Sequence, residues 1–156
     1  MLPVLTGDAA FASIQTWLIE NHAQLAAEAR ERSADLGLGN VRVLERDAGR
    51  TTTYVDIGRA DILLLCGVFG NISDEDIHAT IDVTPQLLSR GGHLVWTRSR
   101  REPDITPEIR RHLKDRGFVE LAFFAPDTEL WSVGVNRFEG TIEAIEPGGT
   151  MFTFTA

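Results

Sequence analysis

One stretch of the sequence decides the fold class: LLLCGVFGNIS, which covers Leu63 to Ser73. The unbroken apolar run before Gly67 is typical of a parallel strand that is covered on both faces. Ser73 is a preferred helix-capping residue, and acidic residues follow it in the first turn, where the helix dipole favours negative charge. The stretch therefore predicts a buried strand, a glycine turn and then a helix.

The same alternation of strands and helices extends in both directions from this stretch. Apolar periodicity and turn residues predict strands at 15–20, 41–44, 61–66 and 93–97, with helices over 21–36, from 73 to about 89, and from 106 to 117. Only a short turn at 126–128 separates two further strands, at 119–124 and 131–138, so these two must be antiparallel. We expect an α/β fold, a Rossmann-like three-layer sandwich whose mostly parallel sheet ends in an antiparallel hairpin.

Composition limits the classes of partner. The chain has 156 residues, a net charge of -8 and a pI of about 4.9, which disfavours binding to the phosphates of nucleic acid. No apolar run approaches the length of a membrane span, and the start of the chain lacks the pattern of a secretory signal. With one cysteine in the chain, we therefore expect one cytoplasmic domain that binds neither nucleic acid nor membrane.

The carboxyl ends of parallel strands are the usual ligand-binding edge of such a sheet. Glu20, at the end of the first predicted strand, is suited to accept hydrogen bonds from a ribose diol; the alternative is an exposed glutamate that begins a helix. Asp47, after the second strand, is suited to an adenine amino group; the alternative is a turn aspartate before Gly49. Together the two acids are more specific than either alone.

The turn after the third strand has the composition of a binding surface. Gly67 lets the backbone approach a ligand closely, Val68 and Phe69 offer an apolar wall, and Asn71 adds a donor and an acceptor. Cys66 follows an apolar run, which favours a buried packing role over that of a nucleophile. These residues therefore predict binding of a ligand, with no catalytic thiol.

The basic residues at 98–101 and the four histidines are two further candidate sites. The basic run Arg98 to Arg101 is either a solvated loop or, at the end of a central strand, a set of forked donors for an acidic substrate. The four histidines lack metal-ligand spacing and the chain has one cysteine, so we expect no metal site.

These residues, in this order, resemble the class I S-adenosylmethionine-dependent methyltransferases over about residues 2–138. The resemblance rests on the pattern DxxLLCGVFGNISD at 61–74 and on the WTR sequence at 96–98. It implies that S-adenosylmethionine is the cofactor, with contacts from Glu20, Asn21, Asp47, Ala48, Cys66, Gly67 and Val68. It also implies that the acceptor borders Phe69, Asn71 and Arg98, while no catalytic residue can be named.

The beginning of the sequence departs from that family. The family begins with a strand and a glycine-rich loop, whereas the residues before Glu20 contain one glycine, Gly7. We expect the first strand and its loop to be missing from a methyltransferase-like domain at 1–140, followed by an extension at 141–156 with an edge strand at 151–155. Unpaired strand edges would favour dimerisation or lower the stability.

The leading hypothesis is a methyltransferase that uses S-adenosylmethionine and a small-molecule acceptor. A catalytically silent binding or dimerisation module is the alternative that the absent glycine loop suggests. A fragment of a nicotinamide dehydrogenase would also place an acid at a strand end. The terminal hairpin and the CGVFGN segment fit that third hypothesis less well.

Overall fold

The structure of the protein is a computed structural model that describes residue 11 and residues 13–155. Helices and strands alternate along the described residues, as the sequence predicts. The chain divides into two compact units, with the boundary between Ala48 and Gly49, and the domain boundary at residue 140 stays a prediction. No helix in the described part of the chain is both long and apolar enough to cross a membrane.

The first unit contains a strand, a helix and a second strand. β1, Thr16–Glu20, pairs in parallel with β2, Val41–Glu45, and α1, Ala23–Asp35, connects them. Glu20 lies opposite Glu45 in the register of the two strands. Both strands therefore end at the same edge, as ligand-binding α/β units require.

The second unit contains a four-stranded sheet in the order β3-β4-β6-β5. β4 pairs in parallel with β3 and antiparallel with β6, which is also antiparallel to β5. The strands and helices are β3 (Ala60–Leu65), α2 (Asp74–Leu87), β4 (Leu88–Ser99), α3 (Thr106–Asp115), β5 (Phe118–Phe124) and β6 (Trp131–Phe138). The Rossmann-like α/β class and the antiparallel hairpin are confirmed, although the described strands form sheets of two and four strands rather than one.

The two faces of the four-stranded sheet differ in burial. Leu65 and Trp96 lie side by side in the register and are buried, with 7% and 0% of their surfaces exposed. Ile62 and Leu64 point to the other face and are 56% and 44% exposed. The expectation that β3 is covered on both faces is therefore wrong. On the buried face, α3 places Arg110 over the ring of Phe123, whose centroid lies 5.9 Å from that of Trp96.

The two α-helices of the second unit begin differently. Ser73 accepts a hydrogen bond of 3.0 Å from the backbone N–H of Asp76, which confirms the predicted cap of α2. At α3 the N-cap position is Ile105, which gives no side-chain cap, and the carboxylate of Asp104 accepts from the N–H of Thr106 at 2.9 Å. Thr106 itself is the first helical residue and is buried, so the predicted cap at Thr106 is wrong, whereas the proline in the first turn is confirmed.

The C-terminal extension does not form the expected edge strand. Arg50 and Thr150 make an isolated antiparallel bridge, and residues 151–155 have no regular secondary structure. Met151 and Phe152 are nevertheless buried, and the hydroxyl of Thr80 in α2 donates to the carbonyl oxygen of Met151 at 3.3 Å. Buried side chains and a hydrogen bond from α2 therefore hold the extension, in place of the strand pairing that was expected.

Candidate functional site

The edge of the first unit carries the two acids that the sequence predicts as cofactor contacts. Oε1 of Glu20 accepts a hydrogen bond of 2.8 Å from the N–H of His22, so one carboxylate oxygen is engaged at the start of α1. The N–H of Arg46 donates to the carbonyl oxygen of Glu20 at 3.2 Å, which brings the chain after β2 beside the end of β1. Asp47 follows and is exposed.

Glu20 is the half-buried last residue of β1, which does not match the alternative of an exposed glutamate that begins a helix, and its second oxygen stays available for a ligand. Asn21 is exposed beside it, and Ala48 is half-buried after Asp47. Their assignment as cofactor contacts stays a prediction.

In the second unit the chain turns sharply after β3, and residues 66–71 form what we call the Gly67 turn. Gly67 has a φ of +76°, which side chains other than glycine rarely adopt. Its N–H donates to Oγ1 of Thr97 at 2.9 Å, and its carbonyl oxygen accepts from Nδ2 of Asn71 at 2.6 Å. Both sides of this backbone position are thus fixed by polar side chains.

The Gly67 turn is open to a ligand. A Cβ atom built on Gly67 would have no other atom within 4 Å, and Cys66 and Gly67 are both exposed. The expectation that Cys66 is buried is wrong, because the strand ends one residue before it and the chain turns outward. The exposed backbone fits the predicted close approach of a cofactor, and the contacts of Cys66, Gly67 and Val68 with it stay a prediction.

Phe69 does not form the apolar wall that the sequence predicts. It is fully buried, and its ring centroid lies 5.9 Å from that of Trp96 in the core. The turn directs this side chain inward, where it adds to the apolar contacts under the sheet. Only the Phe69 carbonyl oxygen faces a polar group, because it accepts a hydrogen bond from Nη1 of Arg98.

Arg98 mainly holds the Gly67 turn in place. Besides its bond to Phe69, its Nη2 lies 3.5 Å from Oδ1 of Asp74 at the start of α2, and its side chain is 17% exposed. Arg100 is held in a similar way by the carbonyl oxygens of Pro126 and Glu129. The structure therefore separates the basic run into two anchored arginines and the exposed Arg101.

Thr97 and Thr155 stabilise the Gly67 turn by hydrogen bonds, and neither residue was predicted from the sequence. Thr97 follows Trp96, the partner of Leu65 in the β3–β4 register, so its hydroxyl reaches the residue that comes after β3. A polar residue at the carboxyl end of the neighbouring strand is the signal that could have identified it. Thr155 donates to the carbonyl oxygen of Asn71 from its N–H at 2.8 Å and from its hydroxyl at 3.1 Å.

Among residue 11 and residues 13–155, no three histidine, cysteine or acidic side chains are grouped as metal ligands would be. A carboxyl group with a shifted pKa lies on β5, away from the Gly67 turn. The Arg110 guanidinium, through its hydrogen bonds, holds the pKa of Glu120 below its ordinary value of 4.5. The polar groups of the Gly67 turn are thus suited to binding and orientation.

The chain was compared with known protein families, curated proteins and solved structures. No known protein family and no curated protein matches the chain. Solved structures do: the fibrillarin pre-rRNA processing protein of Methanococcus jannaschii has a TM-score of 0.61 at 18% identity, over 80% of this chain and 56% of its own. An O-methyltransferase family protein from Burkholderia thailandensis has a TM-score of 0.63 at 15% identity, over 90% and 55%. An rRNA methylase from Streptococcus thermophilus has a TM-score of 0.60 at 18% identity, over 85% and 80%.

The fold is that of a class I methyltransferase. This confirms the fold that the sequence pattern at 61–74 implies. The chain spans little more than half the length of the first two of these structures. Within the methyltransferase fold, the Gly67 turn lies at the carboxyl end of a parallel strand, where α/β proteins bind ligands.

The exclusion of nucleic acid as a partner is wrong. It rested on the net charge of -8, yet two of the structures that share this methyltransferase fold are named for pre-rRNA processing and for rRNA methylation. A net charge summed over a whole chain does not describe the local field at one edge of a sheet. The names also give no preference to a small molecule over a macromolecular acceptor.

Proposed function

We propose that the protein binds S-adenosylmethionine and transfers its methyl group to an acceptor. The observation that carries the proposal is the open Gly67 turn at the end of β3 in a class I methyltransferase fold. S-adenosylmethionine would supply an activated methyl group, whose transfer leaves S-adenosylhomocysteine and a proton. The chain then has to bind the cofactor and the acceptor, orient them and exclude water from around them. These tasks require no dedicated nucleophile.

The residues of the chain suit these tasks. In the first unit, the free oxygen of Glu20 can accept a hydrogen bond from a ribose hydroxyl, and Asp47 can accept one from an exocyclic amino group. In the second unit, the backbone at the exposed Cys66 and Gly67 and at the half-buried Val68 can approach the amino-acid part of the cofactor. The hydrogen bonds that Gly67 makes with Thr97 and Asn71 preorganise that backbone, which lowers the entropy cost of binding.

Binding is the step to test first. Titration calorimetry with S-adenosylhomocysteine should give saturable binding to the native protein, and Asp47→Ala should weaken it about ten-fold if a charge-assisted hydrogen bond is lost. Asp115→Ala, at the end of α3, is the matched control and should bind like the native protein. Absence of binding at millimolar ligand to a protein that melts cooperatively would favour the silent binding module instead.

Transfer is tested separately, with S-adenosylmethionine labelled in its methyl group. Incubation with pools of small molecules, RNA and protein should move the label into one pool. Because the acceptor is not specified by the contacts above, each pool is an equally valid positive result. Binding without transfer to any pool would remove the catalytic part of the proposal and leave cofactor binding.

A further inference from the structure

A cavity lies beside the Gly67 turn, and no role has been assigned to it so far. It has a volume of about 350 Å³, within the range of small-ligand pockets, which begins at about 300 Å³. Its walls come from the Gly67 turn, from the end of β4 and from the start of β6. We call it the Trp131 cavity after its largest side chain.

Apolar surface and positive charge meet in this cavity. Leu130 and Trp131 line it and are 56% and 47% exposed, so two large apolar side chains face solvent next to each other. Arg98, Arg101 and Glu129 also line it, so two guanidinium groups and one carboxylate face the same space. Asp74 balances the charge of Arg98, which leaves Arg101 as the cation that an anionic ligand could pair with at this place.

Arg101 is the arginine that remains for such a ligand. Arg98 is engaged by the Phe69 carbonyl oxygen and by Asp74, and Arg100, the arginine between the two, by two other carbonyl oxygens. Among the described residues, the guanidinium of Arg101 has neither a hydrogen-bond partner nor an ion pair, since the one hydrogen bond of this residue to a side chain is made by its backbone N–H to Ser99, and the side chain is exposed. A planar guanidinium matches a carboxylate or phosphate group with two parallel hydrogen bonds.

We propose that the Trp131 cavity binds a flat aromatic ring that carries an anionic group. The ring stacks on Trp131 against Leu130, and the carboxylate or phosphate pairs with Arg101. This assignment rests on the proposed function in one respect: because Gly67 also lines the cavity, the bound ring is the methyl acceptor. Binding of the ring itself does not depend on a cofactor.

Two sources share this chemistry, an aromatic acid and a nucleotide, so the test uses a probe pair for each. Calorimetry without cofactor compares 4-hydroxybenzoate with neutral 4-hydroxybenzyl alcohol, and uridine 5′-monophosphate with uridine. At least one anionic probe should bind about ten-fold more tightly than its neutral analogue, as expected for a charge-assisted pair. The pair that shows the difference identifies the source.

Variants show whether binding occurs in the cavity. Arg101→Gln should remove the advantage of the anionic probe and leave the neutral analogue unchanged, while Trp131→Ala should weaken both probes of the pair. Arg111→Gln is the matched control, because Arg111 lies on α3 with 69% of its side chain exposed. Thermal melts of each variant confirm that it is folded.

The outcomes separate this inference from the proposed function. Equal binding of anionic and neutral probes, or an anionic preference that survives Arg101→Gln, would overturn the assignment of the cavity. If the native protein does not bind S-adenosylhomocysteine but binds the anionic probe in an Arg101-dependent way, the proposed function is contradicted and the cavity remains a binding site. A bound anionic ring that also accepts the labelled methyl group would support both.

Discussion

Asn71 and Gly67 are joined by a hydrogen bond of 2.6 Å, in which Nδ2 of the asparagine donates to the carbonyl oxygen of the glycine. Asn71→Ala removes this bond and should weaken S-adenosylhomocysteine binding about five-fold, since a neutral hydrogen bond contributes about 1 kcal/mol. Calorimetry measures the change. Gln24→Ala, in the exposed Gln24–Glu28 pair of α1, is the control and should leave the affinity as it was.

Gly67 has a partner for comparison in Gly58, which has a φ of +78°, close to the +76° of Gly67. Neither position has another atom within 4 Å of an added Cβ, so Gly67→Ala and Gly58→Ala introduce backbone strain alone. Each should lower the free energy of unfolding by about 1 kcal/mol, as measured by urea titration. We expect only Gly67→Ala to reduce S-adenosylhomocysteine binding as well. Equal affinity losses in both variants would argue against cofactor contact at the Gly67 turn.

Glu20 combines a local hydrogen bond to the N–H of His22 with a predicted ligand contact, and two substitutions separate these roles. Glu20→Gln keeps an oxygen for the N–H of His22 but loses the charge, so it should retain native stability and weaken S-adenosylhomocysteine binding. Glu20→Ala should lose both, with a stability cost of about 1 kcal/mol. Thermal melts and calorimetry of both variants give the comparison. Unchanged affinity in Glu20→Gln would remove Glu20 from the cofactor contacts.

The Arg110–Glu120 pair should make part of the stability depend on pH. Hydrogen bonds from Arg110 to Glu120, of 2.7 and 2.8 Å, hold the pKa of the carboxyl group below its ordinary value in the folded state. The pair therefore stabilises the fold fully above the unfolded pKa and loses this contribution as the pH falls through the folded pKa.

The native protein and Glu120→Gln are to be compared by urea titration from pH 3 to 8. Their difference in unfolding free energy should be largest above about pH 5 and should vanish in acid, and it should not exceed about 1 kcal/mol because both side chains are partly exposed. Glu31→Gln serves as the control, because Glu31 is exposed on α1. A difference that grows toward low pH would contradict the assigned direction.

Gly134 lies directly under the ring of Trp96 in the core. A Cβ atom at this position would overlap the indole, whose Nε1 is fixed by a hydrogen bond of 2.9 Å to Oδ1 of Asn136. Gly134→Ala should therefore cost about 1–3 kcal/mol of unfolding free energy, because the buried ring has no free space to move into. Gly70→Ala, where an added Cβ meets no atom within 4 Å, should change the stability little.

The order of strands and helices could be predicted because each element has its own period and its own stop signal. The β6 strand begins and ends at the predicted residues, Trp131 and Phe138, since a short turn precedes it and its alternation is regular. The cap at Ser73 follows from side-chain chemistry alone. These features depend on neighbours along the chain, which the sequence displays directly.

Burial could not be predicted in the same way. The apolar run of β3 does not tell whether a second layer covers Ile62 and Leu64, because both faces of such a strand have the same composition. In the glycine-rich turn that follows there is no period at all, so the inward direction of Phe69 and the exposure of Cys66 are set by packing on Trp96 and by the turn itself. The Trp131 cavity is lined by residues more than sixty positions apart in the sequence, so no local pattern predicts it.

Thr155 holds Asn71 by two hydrogen bonds, and Thr153 donates its N–H to the Asp76 carboxylate at 3.1 Å. Residues 153–155 are thus linked to the Gly67 turn through Asn71 and Asp76. By thermodynamic linkage, a ligand that orders the turn should slow the hydrogen exchange of the Thr155 N–H, so this exchange rate becomes a measure of occupancy that needs no knowledge of the acceptor.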